Sequence, residues 1–329
     1  MHRYCHPSVW HGLAILLIVF SAGAGAGGAT GTPIEVADFG ANPGQLRMFH
    51  YIPDGLRDPA PLVVVLHGCK QTAAPYAEAS GWMQYADRWG FALLLPEQRP
   101  TNNRWRCFNW FRPENAARDR GEALSIRRMI ARMQADYPID PQRIYVAGLS
   151  AGGAMTAVLL ATYPEVFAGG AILAGVPYGC ASGLFGAWWC QRRGRNREPA
   201  VWAAAVRQAT GDAVPNGARR PRISIWQGDA DRVVNPANAR ALLKQWTEVL
   251  GIDRTPDREA TVQGHVHRMY QDAGGTVLVE TYTIAGMGHG APVAPGAVEE
   301  ACGHAADYVL PVGICASARI GRFWGINPP

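Results

Sequence analysis

The chain has 329 residues, of which 48% are hydrophobic and 17% are charged, so it can bury a large core and is not a disordered protein. The formal net charge is only +5, and basic residues are interspersed with acidic ones. This composition excludes the concentrated basic face with which nucleic-acid-binding proteins follow a phosphate backbone. A local basic cluster at residues 192–197 is expected to be a solvated loop.

The first thirty residues have the pattern of a secretory signal peptide. Arg3 precedes a short apolar run at residues 13–20, and small residues follow at 21–26. This run is shorter than the roughly 20 residues that a membrane-spanning helix needs. We therefore expect residues 1–28 to be a signal peptide and residues 29–329 to be one folded domain that is secreted, either extracellular or periplasmic.

Strands and helices alternate along the remaining chain, which is typical of a doubly wound α/β domain with a mostly parallel sheet and helices on both faces. Apolar runs predict strands at residues 46–53, 62–66, 91–96, 143–147, 170–175, 222–226 and, as the last strand of the sheet, 276–282. Apolar residues at helical spacing predict helices over residues 76–89, 122–137, 151–161 and 238–250. Right-handed crossovers should bring the ends of the parallel strands to one rim.

The cysteines fit an oxidising compartment. Cys5 lies in the predicted leader, and the six that remain are an even number. Pairing neighbours in sequence is one of the many connectivities that six cysteines allow, and it would form Cys69–Cys107, Cys180–Cys190 and Cys302–Cys315. No pair has the Cys-x-x-Cys spacing typical of zinc sites, so no metal is expected.

A serine lies in the pentapeptide Gly-Leu-Ser-Ala-Gly at residues 148–152, between a predicted strand and a predicted helix. A strand, sharp turn and helix in this order form a nucleophile elbow, which lifts one hydroxyl above the edge of a sheet. The flanking glycines permit a turn that is too tight for a Cβ. We expect Ser150 to be the nucleophile, and the alternative is a glycine-rich turn with a bystander serine.

A serine nucleophile needs a base, and the base needs an orienting carboxylate. In this fold they follow the serine in the order Asp or Glu, then His. His289 lies in a glycine-rich loop after the last predicted strand, and it is the expected base. Asp231, at the end of the strand 222–226, is expected to hold its ring, while Asp229 braces the loop through backbone N–H groups.

Three other histidines follow the elbow. His265 and His267 alternate on one face of a strand, which would suit a metal pair, but no third ligand is evident nearby. A solvated strand face is therefore the preferred interpretation. His304 is expected at the surface or against a disulfide loop.

An oxyanion hole needs two backbone donors that are in place before charge develops. The N–H of Ala151, directly after the nucleophile, is one candidate. The second is the N–H of Cys69, in the loop after an early strand, where Gly68 lets the chain turn inward. A bond from Cys69 to Cys107 would stiffen this loop, although that cystine could also be purely structural. His67 is expected to be a structural hydrogen-bonding residue.

Five segments in this order resemble the poly(3-hydroxybutyrate) depolymerase family of secreted esterases, which are α/β hydrolases related to feruloyl and acetylxylan esterases. The segments are residues 66–69, 107–111, 148–153, 228–231 and 288–290. Leu-His-Gly-Cys and Cys-Phe-Asn-Trp-Phe are more specific than the elbow, which any lipase can carry. The resemblance covers nearly the whole chain after the leader. It implies an α/β-hydrolase fold, a triad of Ser150, Asp231 and His289, and an oxyanion hole near Cys69.

We therefore expect a secreted serine esterase that forms an acyl-enzyme, requires no cofactor and acts on poly- or oligo(3-hydroxybutyrate). A feruloyl or acetylxylan esterase is the nearest alternative, and a non-catalytic polymer-binding homologue is a third. Four tryptophans are candidates for an apolar substrate groove, with core packing as the alternative for Trp110: Trp105, Trp110, Trp188 and Trp189. No nucleic acid is expected as a partner, nor a membrane after signal removal. The sequence leaves the oligomeric state open.

Overall fold

The computed structural model describes residues 1–2, 31–211, 221–296 and 300–328. Apart from its first two residues, the predicted signal peptide lies outside the described part of the chain. Within the described ranges, no helix combines the length and the apolar character that crossing a bilayer requires.

The main sheet has ten strands, in the order β1-β2-β4-β3-β5-β6-β7-β10-β9-β8. Its strands are β1 (Ile34–Val36), β2 (Arg47–Tyr51), β3 (Ala60–Leu66), β4 (Ala92–Glu97), β5 (Ile139–Leu149), β6 (Gly169–Leu173), β7 (Arg222–Gly228), β8 (Arg258–Val262), β9 (His265–Gln271) and β10 (Val277–Ile284). The central strands from β4 to β10 pair in parallel, and both edges are antiparallel. Two short parallel strands, β11 (Ala291–Val293) and β12 (Val309–Pro311), form a second sheet.

Helices cover both faces of the main sheet, which explains why the central strands β3 and β6 are apolar throughout. They are α1 (Ala73–Ala79), α2 (Trp82–Trp89), α3 (Gly121–Asp136), α4 (Ala151–Thr162), α5 (Gly183–Arg193), α6 (Pro199–Thr210), α7 (Ala237–Leu250) and α8 (Ala316–Trp324). Alternate side chains of β3 enter two cores: Leu62 and Val64 pack with α3, α4, α6 and α7, whereas Val63 and Val65 pack with α1, α2 and α8. The predicted doubly wound α/β architecture is confirmed.

The structure differs from the predicted elements in its helices. The single helix expected over residues 76–89 is two helices, because Gly81 adopts a φ of +81° and breaks the pattern between α1 and α2. A Cβ there would lie 2.7 Å from the Cβ of Cys302, so the close packing also requires glycine. β10 is the last strand of the main sheet in chain order, as predicted, and β9 and β8 lie outside it in space. The helices α5, α6 and α8 were not predicted.

Three disulfide bonds join cysteines of the described residues, and they follow the sequential pairing. Cys69–Cys107 connects the loop after β3 to the segment before α3. Cys180–Cys190 anchors α5, and Cys302–Cys315 ties the segment after β11 to the start of α8. The predicted pairing is confirmed.

Candidate active site

Ser150 lies at the sharp turn between β5 and α4. Its φ of 58° and ψ of −115° fall in a region that non-glycine residues rarely adopt, and such strain persists only where the surroundings enforce it. A Cβ on Gly148 would lie 2.3 Å from the carbonyl oxygen of Gly152, and a Cβ on Gly152 would lie 2.3 Å from that of Leu66. Both flanking positions therefore require glycine, as the elbow pattern predicts.

The structure brings Ser150, Asp231 and His289 together at the carboxyl ends of β5, β7 and β10. His289 Nε2 lies 2.9 Å from Ser150 Oγ, and His289 Nδ1 lies 2.8 Å from Asp231 Oδ2. An ionised Asp231 accepts a hydrogen bond from Nδ1–H, so Nε2 is left unprotonated to accept one from the serine hydroxyl. This is the geometry in which a histidine takes a proton from a serine.

Asp231 is a buried carboxylate with several donors around it. Oδ1 accepts hydrogen bonds from the N–H groups of Val233 (2.8 Å) and Val234 (2.9 Å), and Oδ2 accepts one from Gln227 Nε2 at 3.0 Å. Burial alone would raise the pKa of Asp231, but the hydrogen bond and charge of His289, with the two backbone donors, outweigh it and hold the pKa below its ordinary value. The carboxylate is thus kept ionised beside the imidazole.

The loops after β7 and β10 are held against each other, and this positions His289. Asp229 Oδ1 accepts a hydrogen bond from the N–H of Gly286 at 2.7 Å, which confirms the bracing role predicted for Asp229. The N–H of Ala230 donates to the carbonyl of Met287 at 3.1 Å. A Cβ on Gly228 would lie 2.2 Å from that same carbonyl oxygen, so the two loops approach too closely for any other residue.

The two predicted oxyanion donors occupy suitable places in the backbone. Ala151 begins α4, and the first N–H groups of a helix have no acceptor within it. In the loop after β3, the N–H of Gly68 donates to Gln71 Oε1 at 2.7 Å and the N–H of Lys70 donates to the carbonyl of Trp105 at 2.6 Å. Between them, the N–H of Cys69 has no acceptor among the described residues. It remains available to a ligand.

His67 holds the peptide unit that carries the Cys69 N–H. Its Nε2 accepts a hydrogen bond from the N–H of Gln98 at 3.1 Å, so Nδ1 carries the proton and donates to the carbonyl of Gly68 at 2.7 Å. Burial lowers the pKa of His67 to about 4, and the ring is neutral at physiological pH. The structural role predicted for His67 is confirmed.

A buried carboxyl group that the sequence analysis missed, Glu122, holds the segment that carries Cys107. Its oxygens accept hydrogen bonds from Gln98 Nε2 (2.6 Å) and from the backbone N–H (2.8 Å) and Nδ2 (2.7 Å) of Asn109. Gln98 also donates to the carbonyl of Cys107 at 3.2 Å. Burial raises the pKa of Glu122 to about 7 despite these donors. Only the apolar spacing around Glu122 is visible in the sequence, and nothing there shows that it is buried.

A cavity of about 240 Å³ opens above the serine. Its lining is partly apolar and consists of Gly68, Cys69, Lys70, Leu149, Ser150, Gln191, Val233, His289 and Tyr308. Gln191 and Tyr308 were not predicted, because they arrive from α5 and from the segment before β12 and carry no local motif. The described residues include no cluster of three or more His, Cys, Asp or Glu side chains that could hold a metal ion.

The four tryptophans predicted to bind substrate have different environments. Trp105 is 51% exposed, beside the loop of Cys69, and Trp188 (51%) and Trp189 (43%) are exposed on α5, the helix that also carries Gln191. Trp110 is only 6% exposed and packs edge-to-face against Phe111 in the hydrophobic core. The expectation that Trp110 lines a substrate groove was wrong, because its ring is surrounded by core side chains.

The expectation of a solvated face for His265 and His267 was also wrong, since both side chains are buried. His267 Nε2 lies 2.9 Å from Glu280 Oε2, and its ring stacks on that of Tyr282 with 4.1 Å between the centroids. His265 accepts a hydrogen bond from the N–H of Ala285 at 3.2 Å. These partners lie on the neighbouring strand β10 or directly after it, and a local pattern does not show them. His304 is exposed, in agreement with its prediction.

Comparison with known proteins places the chain in a family. Residues 46–266, more than half of the chain, match the family model described as esterase PHB depolymerase. The chain belongs to this esterase family. It is 50% identical over 292 residues to poly(3-hydroxyalkanoate) depolymerase C of Paucimonas lemoignei, a match that covers 89% of this chain and 70% of the relative. It is 36% identical over 269 residues to feruloyl esterase B of Neurospora crassa, covering 78% of this chain and 88% of the relative.

Two solved structures show the same fold as this chain. Acetyl xylan esterase from Aspergillus awamori superposes with a TM-score of 0.75 at 24% identity, over 90% of this chain and 100% of the other. A poly(3-hydroxybutyrate) depolymerase from Bordetella parapertussis superposes with a TM-score of 0.50 at 17% identity, over 79% of this chain and 85% of the other. At these identities the likeness concerns the fold, and it confirms the α/β-hydrolase architecture. This PHB depolymerase-family protein is a hydrolase of carboxylic esters.

Proposed function

We propose that this esterase hydrolyses hydroxyalkanoate polyester or its oligomers through a triad of Ser150, His289 and Asp231. The observation that carries the proposal is the pair of contacts made by His289, at 2.9 Å to the serine hydroxyl and 2.8 Å to the buried carboxylate. The family membership supports the ester-hydrolysing chemistry, and the contacts support the assignment of roles.

The reaction follows from the positions of these groups. Ser150 Oγ attacks the ester carbonyl while His289 Nε2 takes its proton, and Asp231 stabilises the imidazolium that results. The carbonyl oxygen becomes an oxyanion, which accepts hydrogen bonds from the N–H groups of Ala151 and Cys69. His289 then gives its proton to the leaving alcohol, and an acyl group remains on Ser150. A water molecule, deprotonated by His289, attacks this acyl-enzyme; the bond to Ser150 Oγ breaks, His289 returns the proton to Oγ, and the acid is released.

The substrate class is proposed on two observations. The 50% identity to a poly(3-hydroxyalkanoate) depolymerase exceeds the 36% identity to a feruloyl esterase. The cavity above the serine is also lined in part by apolar side chains, among them Leu149 and Val233, which suits the aliphatic acyl chain of a hydroxyalkanoate. A feruloyl or acetylxylan esterase remains the second candidate, because relatives of both names match the chain.

Secretion after removal of residues 1–28 belongs to the same proposal. It is supported by the three disulfide bonds, which form and persist in oxidising compartments. Expression with the native leader, followed by N-terminal sequencing of the protein from the medium or periplasm, tests it. A mature chain that still begins at Met1 would contradict the signal peptide.

Two assays test the catalytic proposal. A fluorophosphonate probe should label the wild-type protein but not the Ser150→Ala variant, while circular dichroism shows that both are folded. Turnover of hydroxybutyrate oligomers, methyl ferulate and acetylated xylan should be compared in parallel, and the oligomers should have the largest kcat/KM. Absence of labelling would favour a non-catalytic polymer-binding protein, and a preference for methyl ferulate or acetylated xylan would favour the second candidate.

A further inference from the structure

A second cavity, of about 530 Å³, lies beside α5 and is distinct in its lining from the one above Ser150. Its wall is made of Phe185, Trp189, Gly194, Arg195, Asn196 and Arg197. It therefore combines aromatic rings with the basic cluster that the sequence suggested would be a solvated loop. Arg195 and Arg197 are instead half-buried.

No carboxylate of the described residues forms an ion pair with Arg195 or Arg197. The buried Nε–H of Arg195 has no hydrogen-bond acceptor there, whereas Arg197 donates to the carbonyl of Gly179 at 3.4 Å and lies 4.8 Å from the ring centroid of Trp202. Glu198, the next residue along the chain, makes no ion pair with them either. Burial, together with the charge of Arg195, lowers the pKa of Arg197, as expected for two guanidinium groups that share a confined space.

A third cation contacts a residue of the cavity wall. Lys244 Nζ, on α7, donates a hydrogen bond to Oδ1 of Asn196, which stands between the two arginines in the sequence, at 2.7 Å. A buried N–H donor without an acceptor costs free energy, and so does a set of like charges without a counter-charge. Both costs are relieved by an anion with several acceptor oxygens, and a carboxylate forms strong paired hydrogen bonds with guanidinium groups.

The opposite wall of the cavity is apolar and exposed. Phe185 is 76% exposed, and its ring lies 6.4 Å from that of Trp189 and 6.2 Å from that of Trp188, measured between centroids. A cluster of exposed aromatic rings is unusual on a protein surface and commonly marks a binding site. A ligand for this cavity therefore has a carboxylate at one end and an apolar body.

The helix beside this cavity, α5, is held in place by covalent and hydrogen bonds, and it also reaches the cavity above the serine. Cys180–Cys190 anchors α5, and Asn238 Nδ2 donates to the carbonyls of Cys190 (3.0 Å) and Gln191 (3.2 Å) at its carboxyl end. Trp189 lines this cavity, whereas Gln191, two residues later, lines the cavity above Ser150. Helix positions two residues apart face different sides of the helix, so we take the two cavities to be about one helix diameter apart, roughly 10 Å.

We propose that the aromatic–arginine cavity binds the terminal carboxylate of a short oligoester whose scissile ester lies at Ser150. This rests on the proposed esterase function and specifies its substrate as an oligomer with a free acid end. An extended peptide residue has three backbone atoms and spans about 3.5 Å. By the same geometry a hydroxybutyrate unit, with four backbone atoms, spans roughly 5 Å, so about two or three units bridge the two cavities.

Two substrates that differ only in end charge test the proposal. One is the hydroxybutyrate trimer with a free carboxylate, and the other is the same trimer ending in a neutral primary carboxamide. The wild-type protein should hydrolyse the free acid with a kcat/KM about tenfold higher, the effect of one charge-assisted hydrogen bond. Because the contact is partly exposed, molar salt should reduce this preference.

Variants locate the effect in the cavity. Arg195→Gln should lower kcat/KM for the free acid about tenfold, by raising KM, and should change kcat/KM for the carboxamide far less. The matched control is Arg207→Gln, which removes the same charge from an exposed position on α6 without lining the cavity. Equal kcat/KM for the two trimers in the wild-type protein would overturn the proposal, as would equal effects of the two variants.

Two further outcomes separate this proposal from others. If the released acid, rather than the chain end, is the preferred occupant, 3-hydroxybutyrate monomer will inhibit the wild-type protein but not Arg195→Gln, and the trimers will be cut equally. That result overturns the role in substrate binding. Failure to hydrolyse either trimer, with methyl ferulate turned over, would instead count against the proposed function.

Discussion

Replacing His67 by glutamine and by asparagine separates the two hydrogen bonds of this buried ring. An asparagine amide reaches the position of Nδ1 and can still donate to the carbonyl of Gly68, but it is too short to accept from the N–H of Gln98. A glutamine amide reaches the position of Nε2 and can still accept from Gln98, but it leaves the Gly68 carbonyl without its 2.7 Å donor. Only the glutamine variant loosens the Gly68–Cys69 peptide unit, whose carbonyl then keeps a single donor, the N–H of Gln71 at 3.3 Å.

The magnitudes follow from the same contacts. The asparagine variant leaves the buried N–H of Gln98 without a partner, which costs about 1–3 kcal/mol of unfolding free energy. The glutamine variant removes the shorter of two hydrogen bonds to the Gly68 carbonyl, which keeps the N–H of Gln71 at 3.3 Å, so its loss of stability should be no larger. Removal of an oxyanion donor costs about 10²–10³ in kcat. If the Cys69 N–H is misoriented rather than removed, the loss of kcat should be smaller than this. We expect kcat of His67→Gln to be about tenfold below that of His67→Asn, which corresponds to roughly 1.4 kcal/mol of activation free energy.

The assay is steady-state hydrolysis of a short-chain p-nitrophenyl ester, with urea unfolding of each variant as the stability measurement. KM should be nearly unchanged in both variants, because the oxyanion forms only in the transition state. If the two variants have the same kcat at matched stability, or if the loss appears in KM, the ring does not act through the oxyanion donor and the reasoning fails.

Three further predictions follow. Asp231→Asn should lower kcat by about 10⁴ without unfolding the protein, because the amide favours the wrong tautomer of His289. Pre-steady-state kinetics with a chromogenic ester measures this loss, and a loss of less than tenfold would contradict the triad. The double variant Cys69→Ser/Cys107→Ser should lose about 3–4 kcal/mol of unfolding free energy and lose kcat before it unfolds in urea, whereas unchanged kcat would assign the cystine to stability alone. Folding raises the pKa of Glu122 from 4.5 to about 7, so the folded state binds the proton more tightly and stability falls as pH rises through that window, by at most about 3 kcal/mol. Urea unfolding between pH 4.5 and 8 should show this slope in the wild-type protein, and its persistence in Glu122→Gln would rule Glu122 out as the source.

The elbow illustrates what a local pattern can predict. A serine flanked by glycines between a strand and a helix leaves few backbone solutions, because the Cβ contacts that exclude other residues at Gly148 and Gly152 lie within a few residues or one strand away. The meeting of Ser150, Asp231 and His289 needed one more step. Right-handed crossovers in a parallel sheet place the ends of β5, β7 and β10 on the same edge, so chain order indicated which loops would meet.

The amino-acid sequence by itself determined the alternation of strands and helices, the strained turn at Ser150 and the loops that would meet above it, because these depend on steric rules that act over short stretches of chain. Only the tertiary structure decided that Trp110 is buried while Trp189 is exposed, and that the side chain of Arg195 lines a cavity instead of extending into solvent. Burial and charge compensation are set by what packs across from a residue, and those partners come from elements distant in the chain.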